Sequence, residues 1–364
     1  LWGIERVVGL LDGDPDHPQD TVARCDAALC AQLHRRWFPD RELVLHARLA
    51  RRPAPPPCLD AGDLVVAGGA VAGSLAAAAN PAIHLLSLHT PGAPAKHRLR
   101  EVAASYRTAL GAEPAAAQEK RRRVCRALER CTVLCTNSRW TAAVLRETYL
   151  PLLDGAFPPV AAECVGVEPP ALAREPRAAP SGAHPRLLSM VRASPRKRAE
   201  GIAETSRLLA RRGVIARWDV LCGADRAAIA ASFRPAGAPG VVLHPFLPEA
   251  ARDRLLGAAR LFVHPARAEH LGLGLLEALL RGVPVVASRS GGPPTYLDEG
   301  VHAAFFEPDS WTELARTIAE LIADRPRAEG MARAGAARVR ERFGWDAVLE
   351  RLRAAIEVAR GGGS

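Results

Sequence analysis

The feature that most constrains this chain is an alternation that recurs along its length: short apolar runs, each followed by a stretch with helical spacing. Arg6–Leu11, Asp63–Val66, Ile83–Leu88 and Thr132–Thr136 read as buried strands, and Leu43–Leu49 as a further one. Thr21–Trp37, an Ala-rich stretch ending at Ala79, and Glu113–Arg130 read as helices between them. Ser138 is placed to cap the helix that follows the Thr132–Thr136 strand. The second half repeats the pattern, with strands expected at Arg186–Val191, Trp218–Cys222, Val241–Leu243, Leu261–Val263, Val283–Ala287 and Ala303–Phe306. Strand–helix alternation of this kind predicts an α/β fold, with parallel sheets covered by helices on both faces. Such sheets bind ligands beyond the carboxyl ends of their strands.

A chain of 364 residues exceeds one ordinary core and suits two domains. Between Pro169 and Pro185 the composition shifts to Pro, Ala, Gly and Arg without periodicity, which marks a linker. The expected organisation is an N-terminal domain over 1–170, a linker over 171–185, a C-terminal domain over 186–345, and a helix with a flexible tail over 346–364.

The chain carries 49 Lys and Arg against 39 Asp and Glu, a net charge of +10. A basic surface attracts nucleic acid, anionic lipid or phosphorylated substrates. The cationic runs Lys120–Arg123 and Arg196–Arg198 lack interleaved aromatics for base stacking, so no nucleic-acid partner is expected. The eight cysteines include no C-x-x-C pair, so neither a zinc site nor a disulfide framework is expected, and they read as reduced thiols. The sequence offers no secretory leader and no run of eighteen apolar residues. Asp12-Gly13-Asp14, beside Pro15, reads as a tight turn rather than a metal site.

The stretch from His264 to Ala278 carries the most chemistry. It follows a strand and opens a helix, and Gly272 and Gly274 allow backbone to approach a ligand closely. Amides at a helix N-terminus favour an anion such as a diphosphate. Glu277 lies about one turn into that helix, on the face pointing back at the ligand, where a carboxylate suits a ribose diol. Glu269 sits in the preceding loop, within reach of sugar hydroxyls. A second element, Ser189 to Lys197, ends the domain's first strand and supplies Arg192 and Lys197. A leaving nucleoside diphosphate builds negative charge that fixed cations must stabilise. Arg192 forks to two oxygens and Lys197 acts as a point charge. Arg196 and Arg198 fit a surface role.

The Glu269-x7-Glu277 arrangement, followed by Gly282-Val-Pro-Val-Val286 and Gly291-Gly292-Pro293, resembles the donor site of retaining GT-B glycosyltransferases. That resemblance implies two Rossmann-like domains whose parallel sheets face a central cleft. It also implies that the family's first strand, its glycine-rich loop and first helix are missing from this sequence. Leu88-His89-Thr90-Pro91 resembles the family's cleft histidine, so His89 and Glu269 are implied as catalytic residues. Arg192, Lys197, Leu271, Gly272, Leu273 and Glu277 are implied as the donor-binding set, with no metal and no cofactor. Thr136–Thr141 and Phe157–Val160 resemble landmarks that shape the cleft.

Within the family, Asn137–Thr141, Glu269-His270 and the Gly291–Pro293 loop are most similar to the α-1,2-mannosyltransferase branch of asparagine-linked glycan assembly. The implied reaction is transfer of mannose from GDP-mannose, with retention, to a lipid-diphosphate-linked (dolichol-type) oligosaccharide. The implied location is cytoplasmic, with peripheral contact at the cytosolic face of a membrane, the endoplasmic reticulum in a eukaryote. An envelope-glycan transferase using another nucleotide sugar, and a non-catalytic nucleotide-sugar-binding module, are the alternatives.

Overall fold

A computed structural model describes residues 3–11, 21–47, 63–68, 83–88, 115–168, 184–214, 216–234 and 237–361. The chain divides into two compact units, one of residues 1–167 with 343–364, the other of residues 168–342. His89, the Asp12–Asp14 turn, Cys58 and most of the expected linker lie outside the described residues.

The first unit holds a six-stranded parallel sheet in the order β2-β1-β3-β4-β5-β6. Its strands are β1 (Arg6–Leu11), β2 (Glu42–Ala47), β3 (Asp63–Gly68), β4 (Ile83–Ser87), β5 (Val133–Cys135) and β6 (Val160–Ala161). Successive residues point to opposite faces, so each strand feeds two cores. Val7, Leu64, Leu85 and Val133 pack with Leu29, Leu33 and Trp37 of α1 (Thr21–Trp37). On the other face Leu86 and Leu134 meet Val124 and Leu128 of α2 (Ala115–Arg130), and Leu145 and Tyr149 of α3 (Arg139–Tyr149). The Ser138 hydroxyl accepts the Thr141 N–H at 3.1 Å, capping α3 as its position in the sequence suggests. The seven described cysteines are free thiols, and burial pushes Cys131 up to about 12.

The helix at residues Trp345–Gly361 belongs to this unit. Its Trp345, Val348, Leu349, Leu352 and Ile356 join the core made by α1 and the sheet. Gly166 permits the fit, because a Cβ there would meet the Trp345 ring at 2.3 Å. Arg351 donates to the carbonyls of Ala162 and Glu163 at 3.2 and 3.0 Å, fixing the helix to the chain just after β6.

The second unit holds another six-stranded parallel sheet, ordered β12-β11-β10-β7-β8-β9. Its strands are β7 (Arg186–Met190), β8 (Arg217–Leu221), β9 (Val241–His244), β10 (Leu261–His264), β11 (Val285–Ser288) and β12 (Ala304–Phe306). The helices are α4 (Ala199–Arg211), α5 (Arg226–Ser232), α6 (Glu249–Ala258), α7 (Leu273–Leu280), α8 (Trp311–Ala323) and α9 (Arg325–Phe343), which makes the Trp345–Gly361 helix α10. Leu187, Trp218, Val263, Val286 and Phe306 form one core with Ile202 and Leu209 of α4 and Leu314 and Ile318 of α8. The remaining face is covered in part by α7. Gly274 of α7 allows that approach, since a Cβ there would touch Met190 Sδ at 3.0 Å and Phe262 at 3.4 Å. Its missing side chain thus makes room for the sheet.

The strand order decides where a ligand fits. From β7 the chain proceeds outward through β8 and β9, then returns to place β10 on the other side of β7. The order therefore reverses between β7 and β10, and the segments leaving their carboxyl ends diverge around a crevice. Two parallel α/β sheets of this kind make the GT-B fold expected from the sequence.

Candidate nucleotide-sugar site

The two motifs singled out in the sequence leave the sheet side by side. β7 and β10 pair in register, Leu187 with Leu261 and Leu188 with Phe262. Ser189 cross-links them, donating from Oγ to the Val263 carbonyl at 2.6 Å and accepting from Trp218 Nε1 at 3.0 Å. The loop carrying Arg192 and Lys197 therefore starts beside the loop carrying Glu269. Beyond the strands, Arg267 N–H donates to the Arg196 carbonyl at 2.8 Å, so the loops remain joined through their backbones.

Glu269 is the centre of the arrangement. Its carboxylate is buried and receives Lys197 Nζ on Oε2, with Arg196 Nη1 at 3.5 Å and the His270 N–H at 3.0 Å on Oε1. His264 Nε2 lies 3.1 Å from the same Oε2. Burial alone would push the Glu269 carboxyl up. Lys197, the His264 hydrogen bond and Arg196 outweigh it and hold the group well below the usual carboxylate range. For His264, burial together with the nearby Lys197 and Arg196 charges lowers the imidazole pKa against the raising effect of Glu269. A neutral ring facing a carboxylate must donate from Nε2, which leaves Nδ1 as an acceptor. That Nδ1 is buried and has no hydrogen-bond partner among the described residues.

The backbone around Glu269 is equally constrained. Gly292 N–H donates to the Glu269 carbonyl at 2.6 Å, and Gly291, at φ +80°, leaves no room for a side chain: a Cβ would lie 2.2 Å from that oxygen. Gly272 adopts φ +84° immediately before α7, the left-handed conformation glycine tolerates at least cost. Its carbonyl takes the N–H groups of Leu275 and Leu276 at 2.9 and 3.1 Å, closing the first turn. The Leu271 carbonyl accepts the buried Tyr296 hydroxyl. Tyr296 is held in turn by Arg338 of α9, whose Nε donates to the Tyr296 carbonyl at 3.2 Å.

Of the residues expected at a donor site, the structure brings Lys197 and Glu269 into contact and sets Leu271, Gly272 and Leu273 in the turn that opens α7. Arg192 stands exposed just past β7, on the same loop as Lys197. Glu277 lies one turn into α7 and faces Arg252 of α6, with Oε2 3.7 Å from Nη1. Arg196, expected on the surface, instead packs against Glu269 and the Ala268 carbonyl at 3.4 Å. Sequence reasoning gave His264 no role, although its place at the end of a strand, five residues before Glu269, was a usable signal. Tyr296 and Arg338 carried none, because they are joined to the site only by folding.

Residues 175–338 match the family described as Glycosyl transferases group 1, somewhat under half of the chain. The matched residues fall within the second unit. The chain is 34% identical over 113 residues to the alpha-1,3/1,6-mannosyltransferase alg-2 of Neurospora crassa, covering 30% of this chain and 24% of that protein. It is 41% identical over 108 residues to D-inositol 3-phosphate glycosyltransferase 1 of Catenulispora acidiphila, covering 29% and 26%. These matches span about a quarter of the length of the curated relatives. In structure it resembles Anabaena Alr3699/HepE in complex with UDP, with a TM-score of 0.65 and 17% identity over 97% of this chain and 99% of that one. The matched segment thus includes the Glu269 cluster.

Proposed function

We propose that the protein transfers a hexose from a nucleoside-diphosphate sugar with retention of anomeric configuration. In this reading the diphosphate docks on the amides opening α7, and Lys197 and Arg192 neutralise it. Glu277 accepts the ribose hydroxyls, and Glu269 meets hydroxyls of the transferred hexose. The bond between the sugar's anomeric carbon and the phosphate oxygen breaks as the acceptor oxygen attacks the same face. The acceptor's hydroxyl proton passes to the departing phosphate oxygen, so no protein nucleophile is consumed. His89, outside the described residues, is proposed to orient acceptor and sugar. The observation that carries this reading is the ionised, buried Glu269 shared between Lys197 and His264 at the strand-order reversal.

The finer reading is mannose from GDP-mannose, delivered to a lipid-diphosphate-linked oligosaccharide at a membrane face. It is supported by the likeness to the Neurospora mannosyltransferase and by the basic balance of the chain. Among the described residues no helix is long and apolar enough to cross a membrane, so the contact proposed is peripheral. A UDP-sugar donor is the second reading, favoured by the likeness to HepE, whose structure holds UDP.

A thermal-shift panel of GDP-, UDP- and ADP-sugars on the wild type and on Glu277→Ala tests both readings. One donor class should raise the melting temperature, and Glu277→Ala should abolish the rise. Stabilisation by GDP-mannose selects the finer reading, and stabilisation by a UDP-sugar selects the second. No shift with any donor sinks the function.

A further inference from the structure

Four non-glycine residues among those described have positive φ, and three of them gather at this site: Arg198 at +53°, Ala268 at +53° and Asp309 at +67°. Arg198 directly follows Lys197, and Ala268 directly precedes Glu269. Left-handed backbone is unfavourable for residues with a Cβ and persists where surrounding contacts enforce it, a pattern concentrated at functional sites. The enforcing contacts here converge on Asp309, which lies between β12 and α8 and is the third residue of the set. Its Oδ1 accepts Arg198 Nε at 2.6 Å, and its Oδ2 accepts Arg267 Nη1 at 3.1 Å.

One carboxylate therefore grips an arginine from each donor-site loop. Arg198 is fixed further by Glu200, whose Oε1 lies 2.6 Å from Nη1, and by the Trp311 ring, 5.7 Å from its guanidinium carbon. Trp311 in turn fills the space that Gly201 leaves open at the start of α4. On the other loop, Ser290 Oγ accepts the Ala268 N–H at 3.0 Å. We propose that Asp309 is a positioning residue for the donor diphosphate. By clamping Arg198 and Arg267 it sets the spacing between Lys197 and Glu269 before any ligand arrives. Neither arginine needs to touch the donor. Their task is to hold two backbone segments in conformations those segments would otherwise abandon. This inference rests on the donor-site reading above and names a residue from a third loop that the reading does not use.

The test separates backbone strain from side-chain clamping through Arg198→Gly. Glycine accepts φ +53° readily, so this variant relieves the local conformation while deleting one arm of the clamp. Its melting temperature should stay within about 3 °C of the wild type. Affinity should be measured by calorimetry for UDP, GDP and the matching monophosphates, on wild type, Arg198→Gly, Asp309→Ala and Asp309→Glu. Binding of the preferred diphosphate should weaken by about tenfold or more in Arg198→Gly and Asp309→Ala, because small misplacements of a binding group are costly. Monophosphate affinity should change less, and Asp309→Glu should recover part of the loss. A diphosphate-to-monophosphate affinity ratio unchanged in both deletions, with the wild type binding normally, overturns the clamp and leaves the proposed function standing. A wild type that binds no nucleoside diphosphate removes the function and the clamp together.

Discussion

Glu269 and Lys197 occupy each other: the ammonium that the proposed reaction needs for a diphosphate is paired with the carboxylate that the sugar needs. Both side chains are more than four-fifths buried, so the pair is shielded from bulk screening. In the proposed reaction, donor binding would exchange partners within the site, with phosphate taking the cation while Glu269 keeps His264, Arg196 and the His270 amide.

Replacing Lys197 with Met should lower unfolding free energy by about 3 kcal/mol, because a buried carboxylate loses its main counter-charge. It should lower kcat by roughly a hundredfold or more, since a cation facing the leaving group is lost. Urea titration and initial-rate measurements check the two effects separately. A stable variant with full activity would contradict the role of the cation.

Acid should destabilise the second unit through Glu269. Its folded pKa is depressed, so the native state binds its proton less readily than the unfolded chain does. The associated stability is complete above the ordinary glutamate value of about 4.3 and is lost as pH falls through the folded pKa. Unfolding free energy measured between pH 6 and roughly pH 2.5 should decline less steeply in Glu269→Gln than in the wild type. Parallel curves would show that Glu269 titrates normally.

His264 should remain neutral below the pH at which a peptide imidazole protonates, because burial disfavours the cation. Its stability contribution is complete above the unfolded value of about 6.5 and is lost as pH falls toward the folded one. Nitrogen chemical shifts of a labelled sample should report protonated Nε2 and bare Nδ1 at pH 7. A doubly protonated ring at that pH would reverse the direction claimed.

Two glycine substitutions isolate crowding from backbone conformation. Gly282 and Gly291 have φ of +72° and +80°, but a Cβ at Gly282 meets nothing within 4 Å among the described residues. Gly282→Ala should cost about 1 kcal/mol, the conformational penalty alone. Gly291→Ala drives its methyl into the Glu269 backbone and should cost about 3 kcal/mol or more. Equal melting temperatures for the two variants would show that the Gly291 turn yields easily.

Much of this was legible in the sequence where the signal was local. Strands buried on both faces announce themselves as apolar runs, and the expected Leu261–Val263 and Ala303–Phe306 strands differ from the observed ones by a single residue at one end. The same locality exposed Lys197 and Glu269, which belong to a loop leaving a strand and to a loop entering a helix. What stayed hidden depends on distance in the chain. Asp309 sits 42 residues beyond Arg267 and 111 beyond Arg198, and no periodicity links them. Arg196 looked like one more cation on a basic surface, because only the packed loop shows that it joins Lys197 on Glu269 while Arg198 turns to Asp309.

The docking of α10 onto the first unit bears on how the chain emerges from the ribosome. Its seventeen residues are synthesised after the whole of the second unit, yet they supply one wall of the first unit's core. During translation the second unit, contiguous in sequence, is free to fold as soon as it clears the exit tunnel. The first unit must wait with Val133, Cys135 and Ala161 of β5 and β6, the strands that α10 packs against, uncovered until that helix arrives. The half made first is thus finished last, and for that interval its apolar face is exposed to chaperones and to neighbouring nascent chains.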